Sequence, residues 1–354
     1  MAAGRQALWF SRSQYVNLPK MVKNDGGATP LICLNAIAGD EEHCIRRMLE
    51  SVKPFIGYWV ISCNGTDNTQ EIIRDVLSDI PGELMERPWV NYAHNRTEAL
   101  VQGRGKAQYH MIIDCDETFE REMPFKDLDL PHYTCNAVNT DGSPFTRQLL
   151  LRDDCNWRYE SAAHNYPICE SATPESPLAG GMVYGKLTHY ADGFTWADNK
   201  QKNLDKAHLL EEAVKDTDRD EHKIHRDYFY MGECYFMAGD IEKAVEVHEK
   251  RMNMGGWEEE RWTSQLRVAS LTADMSKLLA CFEARPQRPE PLFYIGESMR
   301  AQGHKELAGM FYTATQNIID KYPDCEDIVR HDTSIRDGKL AAAVIELSPL
   351  EVAA

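Results

Sequence analysis

Between residues 30 and 112, short apolar runs alternate with segments of helical periodicity, and this alternation leaves the first half of the chain few folds to choose from. "PLICLNAI" (30–37) and "YWVISCN" (58–64) have strand length. Between them, "GDEEHCIRRMLESV" (39–52) sets Cys44, Ile45, Met48, Leu49 and Val52 at helical spacing. Asp40 and Glu41 stand near its start, where the helix dipole favours acids. "TDNTQEIIRDVLSDI" (66–80) reads as a capped helix, and a further helix spans about 92–104. Strand–helix–strand–helix at this spacing predicts an α/β domain built on a mostly parallel sheet with helices on its faces. Ligands of such sheets bind outside the carboxyl ends of the strands.

One of those ends is unusual. "YHMIIDCDETFE" (109–120) is an apolar run that stops on Asp114 and Asp116, with Glu117 beside them. Three acids at one strand end repel each other unless something positive sits among them. A divalent cation holding a phosphate meets that need, and a solvated turn is the plainer alternative.

The chain has 354 residues, enough for roughly two domains, and 43% of them are hydrophobic. A net charge of −17 disfavours nucleic acid as a partner, because non-specific polyphosphate binding relies on clustered Lys and Arg. Ten cysteines are scattered with no C-x-x-C pair, which predicts free thiols in a reducing compartment. Met1–Lys20 has no apolar core of signal-peptide length and no run approaches a membrane span. The expectation is a cytoplasmic protein, a host cytoplasm included if the source is viral.

From Asp198 onward the pattern is helical. "DYFYMGECYFMAGDIEKAVEVHEKRM" (227–252) carries Met231-Gly232, Tyr235, Gly239-Asp240 and Ala244 in the order of a tetratricopeptide repeat, where small residues let paired helices approach. "PLFYIGESMRAQGHKELAGMFYTATQ" (291–316) repeats it with Ile295-Gly296, Gly303 and Ala308, and a degenerate hairpin is expected at about 258–284. The predicted organisation is an N-terminal extension (1–29), an α/β domain (30–196), a linker helix (197–220), tetratricopeptide-like all-α repeats (221–322) and a tail (323–354).

"LNAIAGDEEHCIRRMLESVKPFIGYWVISCNGTDNTQEII", then "WVNYAHNRTEAL", "MIIDCDE" and "WRYESAAHNY" (157–166), resemble in order the motifs of family-2-type glycosyltransferases. "FYMGECYFMAGDIEKAVEVHEKRMNMGGWEEE" resembles the repeat module fused behind such transferases in certain bacterial and viral proteins. The resemblance covers roughly residues 30–316. It implies a nucleotide-sugar-binding glycosyltransferase domain of the A-type fold, a nucleotide-diphosphate sugar as donor and a Mn²⁺ or Mg²⁺ ion.

What the resemblance implies for the site is specific. Asp116 binds the ion directly, and Asp114 contacts the donor ribose or the ion through water. Alternation on an extended strand would point both the same way. His164 is the late metal ligand, with His189 in "LTHYADGF" as the competing one, while Glu117 is structural. Ala36 and Ile37 offer backbone groups to the nucleoside, and Asp40-Glu41 stand where relatives have Asn-Glu. Asn64 replaces the usual base-reading Asp, and Arg96 matches an arginine facing the donor. An inverting transfer needs a carboxylate base. Relatives show His-Glu where this chain has His164-Asn165, so the base moves to Glu160, with Asp141 and Asp154 next.

The acceptor is a glycan, a peptide or a small molecule, and the repeats would dock it, bind a protein partner or form a homodimer. The alternatives are a degenerate transferase fold acting as a repeat-mediated scaffold, and a nucleic-acid-modifying glycosyltransferase.

Overall fold

The computed structural model describes residues 32–122, 125–126, 128–140, 142–173, 178–193 and 199–322, with Ile335, Lys339, Leu340, Ala342 and Ala343. The expected N-terminal extension and most of the expected tail lie outside the described residues. The chain forms two compact units, Met1–Lys202 and Asn203–Ala354.

In the first unit β1 (Ile32–Ala38), β2 (Tyr58–Cys63), β3 (Gly82–Glu86) and β4 (Tyr109–Ile112) pair in parallel in the order β3-β2-β1-β4. Helices α1 (Ile45–Val52), α2 (Thr69–Val76) and α3 (Tyr92–Gly103) follow the first three strands. The strands read as continuous apolar runs because both faces are covered. In β1, Ile32, Leu34, Ala36 and Ala38 join the core that includes Met48, Leu49 and Val52 of α1 and Ile73 of α2. Cys33 and Val60 point the other way, into a smaller core with Ala99 of α3. Asn35 on that same face donates to the Ala99 carbonyl at 2.7 Å.

The rest of the sheet departs from the parallel expectation. β5 (Glu117–Glu120), β6 (His132–Asn139), β7 (Pro144–Arg152) and β10 (Gly180–His189) complete eight strands in the order β3-β2-β1-β4-β7-β6-β10-β5. β7 is antiparallel to both β4 and β6, and β5 is antiparallel to β10, so the sheet is mixed. The cause is local. β6 and β7 are joined by a tight turn in which Gly142 takes a φ of +86° and donates to the Asn139 carbonyl. β8 (Trp157–Glu160) and β9 (Tyr166–Cys169) make a separate hairpin. The described cysteines are all buried free thiols.

α1 is shorter than the sequence predicts because residues 39–44 form a turn that grips the loop after β2. Asp40 Oδ1 accepts from the Thr66 and Asp67 N–H groups, and the Glu41 N–H donates to Thr69 Oγ1 at 2.7 Å. The two loops touch so closely that a Cβ on Gly65 would lie 2.2 Å from the Gly39 carbonyl oxygen.

His132 on β6 is buried beneath Gly180, where a Cβ would meet its ring at 2.2 Å. Burial alone pushes its pKa down to about 4. The folded value is depressed, so the unfolded chain binds more protons below its own pKa of 6.5. The stability is therefore intact above pH 6.5 and is lost as pH falls toward 4, by up to about 3 kcal/mol. Urea titrations at a series of pH values should show this loss flattened in His132→Leu, whatever that variant's stability at neutral pH.

The second unit begins within α4 (Asn199–Ala213), which is followed by α5 (Glu221–Ala238) and α6 (Ile241–Met252), α7 (Glu258–Leu271) and α8 (Met275–Ala284), and α9 (Glu290–Ala301) and α10 (Lys305–Lys321). Each successive pair is a hairpin, and each hairpin packs on the next. Gly232, Ser264 and Gly296 recur at equal intervals on the first helices. A Cβ on Gly232 would lie 2.7 Å from the His248 ring of α6, and one on Gly296 would lie 2.5 Å from the Tyr312 ring of α10. Ser264, small and fully buried, instead bonds His248 Nδ1 through its hydroxyl at 3.1 Å.

The middle hairpin looks degenerate in sequence because buried charges interrupt the apolar pattern around its core of Trp262, Leu266, Leu278 and Cys281. Arg251 pairs with Glu260 at 3.0 Å, Arg267 forks onto Glu233, and Arg288 bridges Glu259 and Glu290. Each hairpin turns on a residue of positive φ: Gly239, Ala273 and Gly303. Only Ala273 bears a Cβ there, at a cost of about 1 kcal/mol. Ala273→Gly should raise the urea midpoint of unfolding by a corresponding amount, and a lower midpoint would contradict this assignment of strain.

Candidate active site

β4 stops at Ile112, two residues before the first acid. Asp114, Cys115 and Asp116 form a turn in which the Glu117 N–H donates to the Asp114 carbonyl at 3.1 Å. The two aspartates therefore do not alternate on an extended strand, as the sequence suggested. The turn sends them to different partners.

Asp114 lies between two arginines. Arg96 of α3 donates to Oδ1, and Arg147 of β7 reaches Oδ2 at 2.7 Å. Arg147 also stands 3.3 Å from Glu117 Oε2, which accepts the Asp114 N–H at 2.8 Å. Burial works to raise the Asp114 pKa, but Arg147 and Arg96 overcome it and hold the carboxyl well below its ordinary range. Glu117 is 1% exposed. Burial first, then Asp114 and Asp116, push it up to about 7 against the pull of Arg147. Burial disfavours the charge on both arginines, yet Asp114 holds each above its ordinary value. The Tyr159 ring lies 5.5 Å from the Arg96 guanidinium.

Asp116, also buried, faces His189 at the end of β10, whose Nε2 is 3.3 Å from Oδ2. The hydrogen bond to Asp116 raises the His189 pKa against the opposing effect of burial. His189 Nδ1 meets the Asn139 side-chain oxygen at 3.0 Å, and the Tyr190 N–H donates to the Asp116 carbonyl. A Cβ on Gly193 would lie 3.3 Å from both Asp116 Oδ2 and Glu41 Oε2, so the turn after β1 reaches the same place.

β1 pairs with β4 only as far as Asn35 but with β2 as far as Ala38. The edge of β1 toward β4 is thus unladdered at Ala36 and Ile37, where the Cys115 thiol donates to the Ile37 carbonyl at 3.4 Å. Asn64 is exposed at the end of β2, its N–H on the Ala38 carbonyl. Asp40 is engaged in ordering the loop beside it, as described above.

The remaining candidates scatter. His164 is exposed in the β8–β9 turn with a φ of +51°, and His189 is the imidazole set against Asp116. Glu160 is buried at the end of β8, its Oε1 2.6 Å from Arg158. β8 runs along α3 from Arg104, which donates to the Trp157 carbonyl, to Thr97, which accepts the Tyr159 N–H. That direction carries Glu160 toward the Arg96 end of the helix. β7 runs antiparallel to β4, so Asp154 sits on Arg152 beside the start of β4, at the other end of the strand from the Asp114–Asp116 turn. Asp141 lies outside the described residues. A cavity of about 540 Å³ runs along the outer side of α3, lined in part by Arg87, His94, Arg158 and Tyr159.

Arg147 was missed from sequence, although a lone guanidinium inside "PFTRQLLL" is a signal that a buried acid awaits it. Arg147→Met should cost about 3–5 kcal/mol, because Asp114 and Glu117 would then lack their shared cation. Adding Glu117→Gln should recover part of that loss in a urea double-mutant cycle; strict additivity of the two changes would contradict the coupling.

No family model matches the chain, and no curated protein matches it. Among solved structures, S. aureus TarS residues 1–349 is similar at 8% identity and a TM-score of 0.34, covering 85% of this chain and 95% of that one. The same fragment in complex with UDP gives 12% identity, 82% and 89% coverage and a TM-score of 0.29. A longer S. aureus TarS structure gives 11% identity and a TM-score of 0.28, with 82% of this chain covering 54% of that one. At TM-scores this low, the likenesses decide neither fold nor function.

Proposed function

We propose that the chain is a metal-dependent, inverting glycosyltransferase that moves a sugar from a nucleotide-diphosphate sugar to a glycan, peptide or small-molecule acceptor. The observation that carries this reading is the Asp116–His189 pair beside Glu41. With Nδ1 donating to Asn139, the lone pair of a neutral His189 points from Nε2 at the Asp116 carboxylate. Two such groups face each other stably only with a proton or a cation between them. A carboxylate–imidazole set suits manganese or magnesium, and Asp116 and His189 would hold the ion, with Glu41 across Gly193. A bound ion would neutralise charge on a departing diphosphate.

The protein's own groups supply the rest. The open edge of β1 at Ala36 and Ile37, with Asn64, offers donors and acceptors to a nucleoside. The Arg96–Asp114–Arg147 layer holds the β4–β5 turn that carries Asp116. Glu160, oriented by Arg158, is the preferred base to take the acceptor proton. The motif order shared with family-2-type glycosyltransferases supports the same reading. Residues 30–196 would carry donor binding, while the tetratricopeptide-like hairpins at 221–322 would dock the acceptor or form a homodimer. The free thiols favour a reducing compartment such as the cytoplasm. Among the described residues, no helix is long and apolar enough to cross a membrane.

The test is donor hydrolysis across a panel of nucleotide sugars, with and without manganese. Asp116→Ala should reduce turnover about a hundredfold or more in protein that remains folded. His189→Ala should raise the manganese requirement by about 10–100-fold, and His164→Ala should leave it alone. Wild-type turnover in Asp116→Ala, or no metal-stimulated hydrolysis of any donor, would sink the proposal.

A further inference from the structure

The turn after β1 carries a second set of ligands. Glu41, His43 and Cys44 each offer one ligand atom, and these atoms lie within 4.8 Å of one another. Cys44 is 1% exposed, and its thiol donates to Glu41 Oε2 at 3.2 Å. The turn is fixed by its backbone, since the Cys44 and Ile45 N–H groups both donate to the Glu41 carbonyl. His43 Nε2 bonds the Asp192 main-chain carbonyl. A carbonyl only accepts, so Nε2 carries the proton and the neutral ring keeps its lone pair on Nδ1. Asp192 is itself held, by the Arg47 fork at 3.0 and 2.7 Å, with Arg47 stacked 3.7 Å over Tyr190. Metal-binding imidazoles are oriented in this way, by an outer hydrogen bond on the other nitrogen.

We infer that Glu41, His43 and Cys44 form a site for a borderline-soft divalent cation, Zn²⁺ or Cd²⁺, which shares Glu41 with the oxygen-rich setting of Asp116 but none of its other groups. Sulfur beside imidazole and carboxylate selects such ions over magnesium or manganese. Binding exchanges the thiol proton, released to solvent, for a metal–thiolate bond, and a water completes four-coordination. Thiolate and carboxylate together balance the charge of the ion. If the transferase reading holds, an ion here also draws Glu41 away from Asp116, so zinc would oppose manganese. That consequence rests on the proposed function; the binding itself does not.

The experiment is a cadmium titration of the reduced full-length protein, followed by the ultraviolet cadmium–thiolate band. One equivalent should bind tightly in wild type and disappear in Cys44→Ser, whose hydroxyl can keep the bond to Glu41. In His43→Ala, where an exposed ring is removed, affinity should fall at least tenfold. Asp116→Ala should retain the equivalent, so loss of the transferase site and loss of this one read differently. Equal stoichiometry and affinity in wild type and Cys44→Ser would assign the ion to another thiol and overturn the inference. An unchanged affinity in His43→Ala would overturn it as well, and that variant decides alone if Cys44→Ser does not fold.

Discussion

The first unit is organised around one ionic layer, Arg96–Asp114–Arg147–Glu117, buried at Arg96 and Glu117 and half-buried between them. It joins α3, the β4–β5 turn and β7, three elements that no local interaction would bring together. Removing such charges from water costs several kcal/mol each, repaid only when every partner is in place. The layer is therefore an all-or-none constraint on how β7, and the strands beyond it, close against the parallel strands β3-β2-β1-β4. β7 must enter beside β4 in one register, because slipping by a residue would turn Arg147 to the other face.

The same layer explains what could and could not be seen in the sequence. β1, β2 and α1–α3 were legible because burial on both faces of a parallel sheet leaves long apolar runs and a clean helical period. The three acids were legible as an electrostatic problem, and the nature of its solution was not. The cations that answer Asp114 lie far along the chain, Arg96 on a helix and Arg147 on a strand not expected to neighbour β4. Extended alternation was the wrong geometry for Asp114 and Asp116, because the strand ends before them and the Glu117 N–H closes a turn. His189 stood in the sequence as the weaker of two histidines; its placement beside Asp116 depends on β10 ending next to β5, a pairing no periodicity announces.

In the second unit the legible part was steric. Gly232 and Gly296 mark where a ring from the next helix must pass, and that demand falls on backbone spacing, which glycine records plainly. Ser264, at the same interval in the middle hairpin, instead bonds His248 of the preceding helix through its hydroxyl. Paired Arg and Glu flank the apolar core there, with Arg285 and Arg288 lying over the buried Trp262 ring. A pattern of apolar positions fades among such charges while the helix packing it once signalled persists.

The chemistry of the candidate site follows from which cation each acid received. A guanidinium does not give up its proton in a protein, so the negative charge of Asp114 is permanently answered and its carboxylate is fixed in place. An imidazolium does give up its proton, within the range of ordinary solution pH. Asp116 is thus answered by a charge that can leave, and leaving exposes a carboxylate and a ring nitrogen aimed at one point. Of the two acids that follow β4, the turn sets one among guanidinium charges that stay and the other against an imidazole whose charge can leave. The Asp-x-Asp spacing alone cannot express that division, because it is made by Arg147 and His189.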